Sequence, residues 1–184
     1  MQFNFDELNI LESKIEAVKE QDPEQLKRNR QYYIDEVTDL FVMAYVYGTR
    51  EVQDQLNTEI MPDINEMDAV INEKFDGKTY KDRLNEYFDS GNGYDIRRVL
   101  ETDYHRIFNA AMYTGAKKGG ATMKTWVTMG DPKVRDTHQY LDGVTIPIED
   151  EFYSFRGGRT MYPGQWGIPE EDCGCRCWVT FSKI

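Results

Sequence analysis

The three cysteines of this 184-residue chain fall within five positions near its end, at Cys173, Cys175 and Cys177. With His138 they form a set of soft sulfur and nitrogen donors, the type that holds zinc. Their spacing speaks against a closed four-ligand site. Such sites favour two to four residues between cysteines, and here one residue separates each pair. Along an extended strand, alternate α-carbons stand about 6.6 Å apart, which spreads Cys173 and Cys177 over about 13 Å. Only a sharp turn at Gly174 would gather all three. The other reading makes Cys175 and Cys177 small apolar residues on the inner face of a strand. On that reading the chain needs no cofactor and takes up no stoichiometric metal. A disulfide is disfavoured, because neighbouring same-face positions hold the sulfurs in the wrong torsion. An odd cysteine count in a reducing compartment leaves the thiols free.

A second constellation is Arg135, His138 and Asp142. On a short helix Arg135 and His138 share a face, and Asp142 can return from the following turn to orient the imidazole. Arginine, histidine and carboxylate together suit phosphodiester cleavage, so one reading is a nuclease or toxin-like hydrolase. The competing reading is a structural histidine, hydrogen-bonded so as to pin the Leu141-Asp142-Gly143 turn against the Cys175-Arg176-Cys177 segment. His138 and Asp142 would then be partners of that segment. The other histidine, His105, lies off the apolar stripe of its helix and is expected to be exposed.

These residues need elements to position them. Leu8, Leu11, Ile15 and Val18 recur at helical spacing. Asp22-Pro23 supplies a cap and first turn for a helix running to about Leu56. Within it Leu40 to Tyr47 is apolar all round, so its middle should be covered on most sides. Gly48 marks either a close crossing or a break. Further helices are expected between Pro62 and Gly77 and over Tyr80 to Tyr87, the latter ending at Ser90-Gly91-Asn92-Gly93. The best-patterned helix runs from Tyr94 to about Ala116, with Ile96, Leu100, Tyr104, Ile107, Phe108, Ala111 and Met112 on one stripe and Gly115, Gly119 and Gly120 as stop signals. On it Asp103 and Arg106 stand one turn apart and are expected to form a solvent-facing ion pair. Thr125 to Met129, Val144 to Ile146 and Cys175 to Phe181 read as strands. The glycine- and proline-rich stretch 156–172 reads as a long irregular loop.

Charge separates the two halves. The net charge is −11, and residues 1–90 alone carry 10 Lys/Arg against 21 Asp/Glu. A nucleic-acid-binding surface is normally basic, so this half is expected to bind protein and not DNA. Its acidity is either the solvated face of helices or a match to a basic partner, anchored by aromatic residues such as Tyr32, Tyr33 and Tyr45. No apolar run approaches the roughly 20 residues of a membrane span. The first residues lack the basic start and apolar run of a signal peptide, which implies synthesis and retention in a cytoplasm.

One ordered string joins many of these residues: Trp126, Gly130-Asp131-Pro132, Arg135, His138, Leu141-Asp142-Gly143, Phe152, Pro163-Gly164 and Cys175-Arg176-Cys177. It resembles the C-terminal domain of the minor head proteins of tailed phages, the family named after protein F of phage Mu, over roughly residues 94–181. The resemblance is specific because many separated elements keep their order. Thr102, Asp103, Arg106 and Asn109 match the family's T-E-x-x-R-x-x-N helix, with Asp103 where Glu is more usual. Gly174 stands where Asn often precedes the cysteine pair, which weakens the inference of a shared local hydrogen bond. The resemblance implies an α+β fold: a helical docking region over residues 1–92, then a small domain over 93–184 with short antiparallel strands packed on a long helix. It further implies a non-enzymatic head protein in the virion. Its partners would be the portal protein and other head proteins, with packaged DNA reached only indirectly. The conspicuous residues would then serve architecture.

Overall fold

The computed structural model describes residues 6–90 and 95–184, with Ser90 by its backbone only; the predicted turn over 91–93 and the first five residues lie outside this description. Helix α1 (Asp6–Gln21) buries Leu8, Leu11 and Ile15, as their spacing requires. Helix α2 (Pro23–Arg28) starts as predicted, with the Asp22 carboxylate accepting from the Gln25 N–H and proline in its first turn. The single helix expected from Pro23 to Leu56 is broken, however. Asn29 leaves helical geometry at φ −99°, ψ 16°, and the chain restarts as α3 (Arg30–Leu56). Asparagine is a weak helix former, and the bend lets α2 lie against both α1 and α5 (Tyr80–Ser90). Helix α4 (Ile64–Ile71) is capped by Asp63 and stops short of Gly77, where Phe75 and Lys78 close a turn.

The centre of the molecule is α6 (Ile96–Lys118), which crosses α3. Gly48 is the close crossing and not a break, since a Cβ there would stand 2.4 Å from the Phe108 carbonyl oxygen. Leu40, Phe41, Ala44 and Tyr45 are buried around it, while Val46 and Tyr47 remain exposed. Of the three tyrosines expected to anchor a partner, only Tyr32 is exposed. Tyr33 and Tyr45 are packed into the core, because α3 buries both in the face it turns toward α5 and α6.

The C-terminal part is a three-stranded antiparallel sheet in the order β2 (Thr145–Pro147), β1 (Met123–Val127), β5 (Trp178–Ser182). Trp126 stands opposite Val179, and both are fully buried. The closing strand begins at Trp178, three residues later than expected, so the cysteines precede the ladder. The stretch read as an irregular loop contains β4 (Arg159–Thr160), which pairs with β3 (Phe152–Tyr153), and a one-turn helix, α8 (Pro169–Asp172). Another single turn, α7 (Asp136–Gln139), follows Arg135. The fold is α+β. Two hydrophobic clusters share α6, one built with α1, α3 and α5 and the other with the sheet and its loops. Helix α6 is therefore covered on nearly every side, which is why its polar residues are buried too. No helix among the described residues is long and apolar enough to cross a membrane. On the outer side, α1 and α3 border a groove of about 260 Å³ with Ile10, Leu11, Leu40 and Met43 as floor and Glu7, Lys14, Glu36 and Asp39 on its rim.

Candidate functional site

The ordered string of the sequence folds into a centre around His138. Its ring is 1% exposed, stacked on Trp166 with centroids 5.8 Å apart and meeting Trp126 edge-on at 5.5 Å. Nδ1 lies 3.6 Å from the Cys175 sulfur and 3.7 Å from the Cys177 sulfur. Nε2 lies 3.1 Å from Glu171 Oε2, close but poorly aligned for a strong hydrogen bond. Glu171 is fully buried and accepts from the hydroxyls of Thr137 (2.7 Å) and Ser154 (2.8 Å). Burial alone would raise its pKa, but those hydroxyls and the nearby imidazole hold it below the usual value. Burial also pushes the neighbouring Asp172 up to about 6, although the N–H groups of Trp166 and Gly167 donate to it. A hydrogen bond between the two thiols, and then burial, hold Cys175 well above the usual thiol range. The same bond favours the thiolate of Cys177.

Asp142 does not orient the imidazole. It accepts from the Thr128 N–H (2.7 Å) and hydroxyl (3.0 Å), tying its turn to the end of β1, and Gly143 at φ +75° lets that turn donate back to the Trp126 carbonyl. Arg135 donates to the Cys173 carbonyl, and Arg176 pairs with Asp131 at 2.7 Å on the half-exposed rim. Cys173 stands apart from the other two thiols. Gly174, at φ +67°, turns the chain so that Cys173 faces a cavity shared with Thr102. Among the described residues, those that could hold a metal are therefore His138, Cys175 and Cys177, whose ligand atoms lie within 4.8 Å of one another.

Helix α6 supplies a second polar group. The Asp103–Arg106 pair expected to face solvent is 1% and 3% exposed. Arg83 of α5 also donates to Asp103, and Arg106 donates to the Val70 carbonyl (2.8 Å) and Glu73 (2.9 Å). His105, expected at the surface, is 2% exposed with Nε2 2.5 Å from the Cys177 carbonyl oxygen. Asn109 donates to the same carbonyl at 3.3 Å. Burial pushes the His105 pKa down to about 4, so its ring is neutral at pH 7. The helix motif and the cysteine motif thus meet at one backbone oxygen, through His105 and Asn109; Asp103 and Arg106 face away from the His138 centre and clamp the turn before α5. Sequence reasoning missed Glu171, Trp166 and the role of His105. Trp166, an aromatic residue isolated in a glycine-rich stretch, was the one detectable signal, whereas nothing separates Glu171 from its neighbour Glu170.

The His138 centre and the polar group of α6 both fall within a stretch that matches a known family. Residues 65–180 match the family described as Phage Mu protein F like protein, and the chain belongs to that family. The matched span takes in the turn after α4, which provides Glu73, and α5, which provides Arg83. The chain is 31% identical over 88 residues to minor head protein GP7 of Bacillus phage SPP1, covering 46% of this chain and 29% of that protein. It is also 30% identical over 120 residues to the NAD(+)–arginine ADP-ribosyltransferase EFV of Enterococcus faecalis, covering 61% of this chain and 24% of that protein. The chain spans less than a third of the length of these curated relatives. No solved structure matches it.

Proposed function

We propose that this protein is a minor head component that associates with the portal, assists head morphogenesis, DNA packaging or DNA delivery, and ends in the virion after assembly in the host cytoplasm. It acts without catalysis. The observation that carries the docking role is the groove between α1 and α3, an apolar floor rimmed by Glu7, Glu36, Asp39 and Lys14, with Lys14 paired to Glu36 at 3.1 Å, in a half of the chain with a net charge of −11. Such a surface suits a basic, amphipathic segment of a portal subunit and repels phosphate. Exposed Ile10 and Tyr32 extend its apolar area. Burial of His138 between two indole rings supports the architectural reading over a hydrolase, since a general base has to reach a substrate proton. The activity in the transferase's name belongs to a protein about three quarters of which lies outside the shared stretch, and it is not carried over to this chain.

The test is charge reversal at the groove. Glu36→Lys with Asp39→Lys should lower the copy number of this protein in assembled heads by tenfold or more while its circular dichroism is unchanged. Incorporation at normal copy number would remove the groove from the docking role. Tight, salt-sensitive binding of the wild-type protein to DNA would overturn the charge reasoning.

A further inference from the structure

We propose that His138, Cys175 and Cys177 form a three-ligand zinc site whose fourth position faces a small cavity beside Arg135 and Arg176. A tetrahedral zinc ion bound at about 2.3 Å to sulfur and about 2.0 Å to nitrogen requires N···S edges of about 3.5 Å. The two N···S distances here are 3.6 and 3.7 Å, and all three ligand atoms fall within 4.8 Å of one another. The imidazole-to-sulfur distances already suit the ion. Spacing along the chain pointed away from zinc because it was measured on one strand. The structure brings the imidazole in from α7 and leaves Cys173 out.

The surroundings match what a metal-bound imidazole requires. A ligating histidine usually turns its other nitrogen to a carboxylate, which fixes the ring and its tautomer. Glu171 Oε2 sits 3.1 Å from Nε2, and its own oxygens are held by Thr137 and Ser154. Glu171 thus faces Nε2 while Nδ1 lies on the thiol side, the orientation a ligating ring needs. The Cys177 backbone is clamped from α6 by His105 and Asn109, so the ligand loop is ordered before an ion arrives.

A cavity of about 10 Å³ supplies the open position, lined by His138 and Cys177 together with Lys133, Arg135, Gly174 and Arg176. That is room for about one water molecule. Three protein ligands plus one water satisfy four-coordinate zinc. When zinc binds, each thiol releases its proton to solvent and two thiolate–metal bonds form, with no redox change. The ion would staple α7 to the segment that enters β5.

The experiment uses the full chain, reduced and stripped with chelator, titrated with Co²⁺ alone and then with Zn²⁺. The expected result is one Co²⁺ per chain with a thiolate-to-cobalt charge-transfer band and the visible bands of tetrahedral cobalt, bleached by stoichiometric Zn²⁺, which also raises the melting temperature. Cys173→Ser should leave the spectrum unchanged, while Cys175→Ser and His138→Ala should weaken binding at least tenfold. Absence of the charge-transfer band in the wild type, or its loss in Cys173→Ser, overturns the proposal. Should the Cys175 or His138 variants fail to fold, X-ray absorption of the wild-type zinc protein decides. Two sulfurs at about 2.3 Å with two lighter neighbours supports the site, and any other sulfur count overturns it.

Discussion

Gly48→Ala sets local propensity against tertiary packing, and the two predict opposite signs. Glycine inside a helix costs about 1 kcal/mol relative to alanine, so propensity alone has the variant more stable. The added Cβ, however, would stand 2.4 Å from the Phe108 carbonyl oxygen and 3.0 Å from the Ala111 Cβ. An ordinary carbon–oxygen contact is about 3.3 Å, so α3 and α6 must separate by something on the order of 1 Å. The blocking atom is main chain within α6 and cannot rotate aside. Overpacking of a fixed core typically costs about 1–3 kcal/mol, and this crossing belongs at the upper end. After the propensity gain, the net loss is about 1–2 kcal/mol, or a fall of about 2–8 °C in melting temperature for a chain of this length. Urea and thermal unfolding followed by circular dichroism read it directly. Adding Ala111→Gly should not rescue the variant, because the nearer obstacle is the Phe108 oxygen. A Gly48→Ala protein as stable as the wild type would refute the close crossing.

Asp103→Ala leaves Arg83 and Arg106 buried without their shared carboxylate, so urea unfolding should show a loss of about 3–5 kcal/mol; a loss under about 1 kcal/mol would place the pair in solvent after all. His105 has a pKa near 4 in the fold against 6.5 ordinarily, so between those values the unfolded chain binds the proton and the folded one does not. Its contribution to stability is therefore full above about pH 6.5 and is lost as pH falls toward 4, by up to about 3 kcal/mol. Asp172, raised from 3.8 to about 6, works the other way, its contribution being lost as pH rises through that window. The difference between wild type and His105→Gln across pH 4 to 7 isolates the histidine; a flat difference would contradict its burial. Asp142→Ala should cost about 1–2 kcal/mol by freeing the Thr128 N–H, yet leave the His138 ring resonances in NMR spectra nearly unmoved, since the two side chains do not touch.

Much of the architecture was legible in residue order. The helical periodicity of Leu8, Leu11 and Ile15, the Asp22-Pro23 cap and the stripe from Ile96 to Met112 each set an element by local rules, and each element is present. Alternation likewise placed Cys175 and Cys177 on the buried side and Arg176 on the open one, even though the ladder begins only at Trp178. Period-two and period-3.6 patterns report where a side chain points, and pointing is a property of the local backbone.

Tertiary structure decided everything that depends on what the polar side chains meet. Asp103 and Arg106 have the same spacing whether they face water or a core, and only Arg83 and Glu73, brought up by α5 and the turn after α4, make them a buried network. His105 lay off the apolar stripe, but α6 is covered on its second side by the segment leading into β5, so lying off the stripe did not mean exposure. Asp142, in the turn just after His138, was the expected carboxylate partner, yet Glu171 became its neighbour, 33 positions away across the fold. Local sequence sets the direction of a side chain, whereas the partner that satisfies a buried charge is supplied by long-range packing, and no pattern within a single element encodes it.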